Sequence, residues 1–237
     1  MTKPRRSGSK GTEEVVQGAI LIEMENVAFR GRQLFHDVLE KVLNDKGMKL
    51  EPEIFSRYCL DAPSRQFVTC LLKSTNKPKL SEDKLLSDIL DALKVALNGK
   101  LKIETAFKEL IKVAEEKALI GGLSSLDKDA AVRLMTDLGL PGMDSRILSC
   151  ADEHKNFPGA NMWMKLANSM RIPSSRCVAI ATSAASCNSA LAARMRIVAI
   201  PDKFTSFQDF GGADAVFESL DKNAVSSVLE LLKSATS

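Results

Sequence analysis

Two carboxylates one residue apart, Glu23 and Glu25, stand at the end of an apolar stretch that covers residues 19–22. The apolar run predicts a buried strand, and side chains two positions apart on an extended segment point to the same side. Two carboxylates that share one site are suited to nucleophilic attack and to proton transfer. Two solvated acids at the end of a strand would give the same pattern, so the pair alone is a weak signal of function.

The length and composition are those of a folded protein with a sizeable core. The chain has 237 residues, of which 45% are hydrophobic and 27% charged. This length suits one domain with an insertion, or two small domains. No stretch is long and apolar enough to span a bilayer, and we expect no signal peptide because an apolar leader segment is missing.

The basic charge is concentrated in the first twelve residues. The formal net charge is +3, and the tail contributes +4 through Lys3, Arg5, Arg6 and Lys10, so the remainder sums to 3 − 4 = −1. The tail, residues 1–12, lacks apolar residues to bury, and we expect it to be disordered in isolation. It is either a solvated tail or a weak electrostatic contact with nucleic acid or another anionic surface.

The cysteines and histidines give little support for a metal site. The five cysteines are widely spaced and form no CxxC pair: Cys59, Cys70, Cys150, Cys177 and Cys187. This pattern indicates reduced thiols in a cytoplasmic protein rather than zinc ligands or disulfides. With two histidines in the whole chain, His36 and His154, a histidine-based metal site is not expected.

The hydrophobic pattern divides the chain into a helical part and an alternating part. From Gly31 to about Leu119 the apolar residues recur at helical spacing, with Ser81 as the predicted N-cap of one helix. Afterwards short apolar runs alternate with helical segments. The predicted strands cover 118–123, 146–150, 177–181, 197–200 and 215–217. This alternation predicts an α/β protein with a Rossmann-like parallel sheet, helices on both faces and a helical insertion of roughly 80 residues after the first strand.

A parallel sheet of this kind would bring several polar side chains together. In open α/β sheets, ligands bind beyond the carboxyl ends of the strands. That edge would carry Glu23 and Glu25 after the first strand, Ser124 and Ser125 after the second, and residues 181–183 after a later one. The fold class, rather than the order of these residues in the chain, predicts that they share one crevice.

Several segments together resemble the haloacid-dehalogenase-like phosphatases. The family's first motif is a strand followed by Asp-x-Asp-Gly-Thr/Val, and residues 19–28 resemble it with glutamate at both acidic positions and Asn26 in place of the glycine. Residues 123–125 resemble the second motif, and residues 157–163 the segment Lys-Pro-x-Pro-Asp-x-Phe. Residues 176–201 resemble the fourth motif, a strand, Glu-Asp-Ser, a small-residue helix and Gly-Met-Arg-Val-Val-Ala-Val-Pro.

The resemblance extends over residues 18–233 and implies a division of the chain. The family's usual ending is similar to residues 211–220, and a helical insertion after the first strand is typical of the beta-phosphoglucomutase-like subfamily. The resemblance therefore implies a core built from 13–30 plus 118–237, with a helical cap at 31–117. In the family, the first acid attacks phosphorus, the second transfers the leaving-group proton, and magnesium neutralises charge.

This chain departs from the family at the positions that carry the chemistry. Glu23 and Glu25 stand for two aspartates, and the added methylene displaces each carboxylate. Phe157 stands where the family has a lysine, although Lys155 lies two residues earlier. Ala181 and Thr182 stand for the Glu-Asp pair that helps to hold magnesium.

A second group of positions is less altered. Ser124 with Ser125 is a candidate phosphate-binding pair or an ordinary helix cap, Arg65 a candidate cap contact or a surface arginine, and Trp163 a core residue.

Two functions follow from these departures. The first is a catalytically inactive relative of the phosphatases that acts as a binding or scaffolding module for an unknown protein partner, with no cofactor. The alternative is a slow or altered magnesium-dependent phosphohydrolase in which Glu23 attacks or positions water and Glu25 transfers protons. The missing acids at Ala181 and Thr182 favour the first.

Overall fold

The computed structural model describes residues 18–60, 65–74, 80–99, 101–114, 117–137, 146–149 and 157–236. Within this part the strands form one parallel sheet in the order β3-β2-β1-β4-β5-β6. They are β1 (Ala19–Glu23), β2 (Leu119–Ser124), β3 (Ile147–Ser149), β4 (Cys177–Ala181), β5 (Arg196–Ala199) and β6 (Ala215–Val216). The predicted α/β fold class with a Rossmann-like parallel sheet is confirmed, and the predicted strands match to within about a residue at most ends.

The helices flank the sheet or lie in the insertion between β1 and β2. They are α1 (Met24–Ala28), α2 (Gly31–Asn44), α3 (Pro52–Tyr58), α4 (Arg65–Ser74), α5 (Glu82–Leu97), α6 (Thr105–Ala114), α7 (Lys128–Asp137), α8 (Ala160–Ser169), α9 (Ala184–Ala192) and α10 (Lys222–Thr236). A short 3-10 helix, Ser174–Arg176, precedes β4. The predicted N-cap of α5 is confirmed, since the Ser81 hydroxyl oxygen accepts a hydrogen bond from the Lys84 backbone N–H at 3.3 Å. None of the described helices combines the length and apolar character that a membrane crossing requires.

The central position of β1 explains its composition. All five residues of β1 are buried, because β2 and β4 pair with it on either side and helices cover both faces. Side chains alternate across the sheet, so Ile20 and Ile22 belong to one apolar cluster and Ala19 and Leu21 to the cluster on the opposite face.

The insertion has an apolar cluster of its own. Its buried members come from α2 to α5 and their connections, and they include Leu39, Phe55, Leu71 and Ile89. Phe204, from the loop after β5, also belongs to this cluster. Helix α6 differs from the other insertion helices, because its buried residues, among them Phe107 and Leu110, pack in the sheet cluster that contains Ile20 and Ile22. Whether the cap and core divide at residues 31 and 117 stays a prediction.

Candidate functional site

Glu23 lies at the carboxyl end of β1 with its side chain 3% exposed. Since β4 pairs directly with β1, the backbone N–H of Thr182 lies beside it and donates to Glu23 Oε1 at 2.8 Å. Asn26 Nδ2 donates to the other carboxylate oxygen at 3.3 Å. Both oxygens of Glu23 are therefore hydrogen-bonded to the protein itself.

Glu25 lies in the first turn of α1 and turns its carboxylate toward the end of β2. The hydroxyl of Ser124 donates to Glu25 Oε1, and the backbone N–H of Ser125 donates to Oε2 at 3.4 Å. Ser124 is fully buried, and its oxygen also accepts a hydrogen bond from the Leu126 N–H at 3.1 Å. Ser124 and Ser125 are the pair to which the family resemblance assigns phosphate binding, and a carboxylate of the same chain occupies both donors.

Burial changes the acidity of Glu25. Desolvation of its carboxylate is the largest effect and raises the pKa of Glu25 above its ordinary value of 4.5. The hydrogen bonds from Ser124 and Ser125 act in the opposite direction, and the negative charge of Glu23 adds a smaller upward contribution. This carboxylate therefore keeps its proton to a higher pH than a solvated glutamate does.

A sharp turn brings the insertion back over the two glutamates. Arg30 adopts a left-handed conformation, with φ of 55°, immediately before α2. A Cβ on Gly31 would lie 2.7 Å from Glu25 Cβ and 3.1 Å from its backbone, so only glycine fits this close approach without displacement. The turn places the first residues of α2 at the crevice.

Arg32, the second residue of α2, is a buried cation in this crevice, with its side chain 5% exposed. Its Nη2 donates to the Thr182 hydroxyl oxygen at 3.0 Å, and its Nη1 forms an ion pair with Asp202 in the loop after β5. Its Nε has no hydrogen-bond partner among the described residues. Thr182 thus links the guanidinium, through its hydroxyl, to Glu23, through its backbone N–H.

The positions where the resemblance expects a lysine and two acids have neutral side chains here, of which two pack in an apolar cluster and one is hydrogen-bonded. Phe157 is partly buried and packs against the sheet face that contains Ala179 and Leu21. Ala181 is fully buried in the same cluster. Thr182 is buried and is hydrogen-bonded to Arg32, Glu23 and Thr205.

The described residues of this crevice do not fit the magnesium ion that the family resemblance implies. Magnesium prefers near-octahedral coordination by oxygen ligands, usually anchored by carboxylates. Here Ala181 offers no side-chain ligand, and the positively charged Arg32 guanidinium contacts Thr182 at the other expected ligand position. Among the described residues, no cluster of three or more His, Cys, Asp and Glu side chains could hold a metal ion.

The other predicted residues lie away from the two glutamates or outside the described part. Arg65 begins α4, is 68% exposed and forms an ion pair with Asp83, so its contacts are within the insertion. Lys155, Cys150 and the basic tail lie outside the described residues. Trp163 is fully buried in the sheet cluster, and its Nε1 donates to the Ser189 hydroxyl oxygen at 2.9 Å.

The cysteines in the described part of the chain add no nucleophile to the site. The described cysteines, Cys59, Cys70, Cys177 and Cys187, are free, and all but Cys70 are buried. Burial raises the pKa of Cys59 and of Cys177 to about 12, so both thiols are protonated near neutral pH.

Arg32 and Asp202 are the site residues that the sequence did not reveal. They lie 170 positions apart in the chain, and an arginine near the start of a helix is ordinarily exposed. The local sequence has no signal for this pair. The topology supplies one, since the loop after β5 leaves the same edge of the sheet as β1 and β4.

Comparison with known proteins supports the fold through similarity of structure, and not through similarity of sequence. No model of a known protein family matches the sequence, and no curated protein matches it. A hydrolase described as family IA, variant 3, from Entamoeba histolytica has a TM-score of 0.72 at 12% identity, covering 92% of this chain and 100% of that one. CbbY from Rhodobacter sphaeroides, solved with phosphate, gives 0.70 at 15% identity, with coverage of 87% and 96%.

A beta-phosphoglucomutase from Clostridium difficile is similar to the same extent, with a TM-score of 0.69 at 14% identity and coverage of 92% and 98%. The chain has a haloacid-dehalogenase-like fold of the beta-phosphoglucomutase type. The resemblance inferred from the sequence is confirmed at the level of fold. At these identities the haloacid-dehalogenase-like neighbours say nothing about whether this chain is active.

Proposed function

We propose that this chain is a catalytically inactive haloacid-dehalogenase-like protein that acts as a binding or scaffolding module. The observation that carries the proposal is the position of the Glu25 carboxylate, which accepts hydrogen bonds from Ser124 and Ser125. A phosphate group would need those two donors, and it would have to displace the Glu25 side chain from both of them.

The surroundings of Glu23 support the same proposal. Both oxygens of Glu23 accept a hydrogen bond from the protein, and these bonds hold the carboxylate in place and lower its nucleophilicity. The crevice also contains the Arg32 guanidinium, whose Nη1 is paired with Asp202 and whose Nη2 donates to Thr182, so that of its nitrogens only the buried Nε has no partner among the described residues. Phosphoryl transfer depends on several charged groups acting in one geometry, and the neutral side chains of Phe157, Ala181 and Thr182 therefore support the proposal.

One observation favours the alternative, a slow or altered phosphohydrolase. Desolvation by burial raises the pKa of Glu25, and an upward shift is the direction that favours a general acid over a solvated carboxylate. In that reading Glu25 would move away from Ser124 when a substrate binds, and Glu23 would attack or position water.

A phosphatase panel with magnesium separates the two functions. The wild-type chain, Glu23→Ala and the matched control Glu109→Ala, which changes an exposed glutamate, are compared on small sugar phosphates and other phosphomonoesters. We expect background turnover from all three. Turnover of about one per second, the low end of ordinary enzymes, that is lost in Glu23→Ala alone would establish the hydrolase instead.

The binding role needs its own experiment. The full-length chain is used as bait in a native extract, with magnesium present or chelated, beside the Glu23→Ala bait. A scaffolding module should retain the same protein partner in all of these conditions, because neither metal nor the nucleophile position takes part. Retention that requires magnesium and Glu23 would instead indicate a substrate-like partner, and the scaffolding role would be wrong.

A further inference from the structure

The loop after β5 is held rigidly to the end of β4. We call residues 201–206 the clamp loop. Within it the Asp202 side chain accepts a hydrogen bond from the Phe204 N–H at 2.8 Å, and the Asp202 carbonyl accepts one from the Ser206 N–H at 2.8 Å. The Thr205 hydroxyl donates to the Thr182 carbonyl at 2.8 Å, and Thr205 is fully buried. The loop therefore moves with the sheet.

The same loop inserts an aromatic ring into the insertion. Phe204 is 6% exposed, and its ring centroid lies 4.6 Å from that of Phe55 and 5.2 Å from that of His36. Among the described residues, the other buried members of that cluster all lie between Phe35 and Ile89. Phe204, which belongs to the loop after β5, thus forms part of the apolar core of the helical insertion.

An ion pair reinforces this contact one turn earlier on α2. Arg32, buried at the start of the helix, is paired with Asp202 of the clamp loop. Separation of the insertion from the sheet would leave the guanidinium without its carboxylate and expose the Phe204 ring to water. Both consequences oppose opening, because the ion pair would be lost and an exposed aromatic ring is costly.

We propose that the clamp loop fixes the helical insertion to the sheet, so that the insertion does not separate and unfold independently of the sheet above Glu23 and Glu25. The crevice at Glu23 and Glu25 then has one closed geometry. Entry or release of a molecule there requires the loss of the Phe204 and Asp202 contacts. This inference does not depend on whether the chain is catalytically active, since it concerns only how the two parts move.

Native-state hydrogen exchange tests the clamp. The probes are buried amides of the insertion, such as those of Leu39 and Ile89, and buried amides of the sheet, such as those of Leu21 and Ala179. If the two parts open only together, the wild-type chain should show similar protection for both sets. In Phe204→Ala the insertion amides should exchange at least about tenfold faster than the sheet amides, because a large buried contact has been removed.

Phe207 provides the matched control, because it lies in the same stretch of chain but is 67% exposed. Phe207→Ala should leave both sets of amides unchanged. If Phe204→Ala does not fold, Phe204→Leu replaces it, and the same divergence with a smaller ratio is expected. Wild-type insertion amides that already exchange about tenfold faster than the sheet amides, or a Phe204 variant that speeds both sets equally, would overturn the clamp.

Discussion

Replacement of Asp202 by asparagine should destabilise the protein far more than a matched change in an exposed ion pair. One oxygen of Asp202 accepts from the Phe204 N–H, and the other is paired with Arg32. Asparagine has nearly the same shape but only one acceptor oxygen, and its NH₂ group would face either the guanidinium or the Phe204 N–H. In either orientation one buried donor loses its partner.

The burial of the two partners sets the magnitude. Arg32 is 5% exposed and Asp202 38% exposed, so the pair lies between the two limiting cases. Loss of one partner of a fully buried pair costs about 3–5 kcal/mol, whereas exposed pairs contribute about 0–1 kcal/mol. We therefore expect the free energy of unfolding to fall by roughly 2 kcal/mol, which corresponds to a decrease in Tm of about 4–8 °C for a chain of this size.

The control is Asp83→Asn, which breaks the exposed ion pair with Arg65. The Arg65 side chain is 68% exposed and the Asp83 side chain 71% exposed. It should change the free energy of unfolding by no more than about 0.5 kcal/mol. Urea unfolding followed by circular dichroism, at low salt and at high salt, measures both variants. Equal effects of the two substitutions, or an Asp202→Asn effect that disappears at high salt, would show that the Arg32 pair behaves as a surface pair.

Two further changes test the positions of individual side chains. Between pH 4.5 and the raised pKa of Glu25, the native state binds more protons than the unfolded state, so a rise in pH through this window lowers its stability. Glu25→Gln has no proton to lose in this window. Its free energy of unfolding relative to wild type, measured by urea unfolding, should therefore increase as the pH rises through the window. A difference between variant and wild type that does not change with pH would contradict the desolvation of Glu25. Trp163→Phe removes the Nε1–H bond to Ser189 and leaves a cavity, and the free energy of unfolding should fall by about 2 kcal/mol, with the exposed Phe207→Leu as an unaffected control.

The strands could be predicted because their residues are apolar in short runs between helical segments. Residues 177–181 match β4 completely, since the strand starts after a 3-10 turn and ends where Thr182 and Ser183 begin a helix cap. Elsewhere the ends are displaced, as at β2, where apolar residues continue across the boundary between Ala118 and Leu119. Hydrophobicity indicates which segment is buried, whereas hydrogen bonds with the neighbouring strand decide where pairing starts.

For the candidate site, the sequence predicts which strand ends lie together at one edge of the sheet, and it does not predict the contacts between the side chains. The topology brings Glu25 and Ser124 to one edge, but a direct hydrogen bond between them depends on side-chain length and on the turn at Gly31. The contact between Arg32 and Asp202 depends on the path of a loop 170 positions away. Local sequence patterns contain no information about such distant pairs, because each residue is ordinary in its own segment.

Under the proposed function, Arg32 is expected to limit which substitutions would give phosphatase chemistry. Groups that act as a unit are strongly non-additive, so Glu23→Asp alone should stay inactive. Reversion of the whole motif set is the smallest change suggested by the family resemblance, and it comprises Glu23→Asp, Glu25→Asp, Phe157→Lys, Ala181→Glu and Thr182→Asp. The Thr182 hydroxyl oxygen already accepts from Arg32 Nη2 at 3.0 Å, so an aspartate at this position would form an ion pair with the guanidinium rather than bind magnesium.

We therefore expect the chain with all five substitutions, the fivefold reversion, to bind magnesium weakly and to show no activity. Addition of a sixth substitution, Arg32→Leu, should improve magnesium binding by at least about tenfold, or 1.4 kcal/mol. Calorimetric titration with magnesium, together with a phosphomonoesterase assay, compares the two chains. Arg65→Leu in the same fivefold background is the control, because that arginine is exposed and paired within the insertion. Circular dichroism must show that each chain is folded, since Ala181→Glu places a carboxylate at a fully buried position. Micromolar magnesium binding by the fivefold reversion with Arg32 in place would show that the guanidinium does not compete with a metal ion for this crevice.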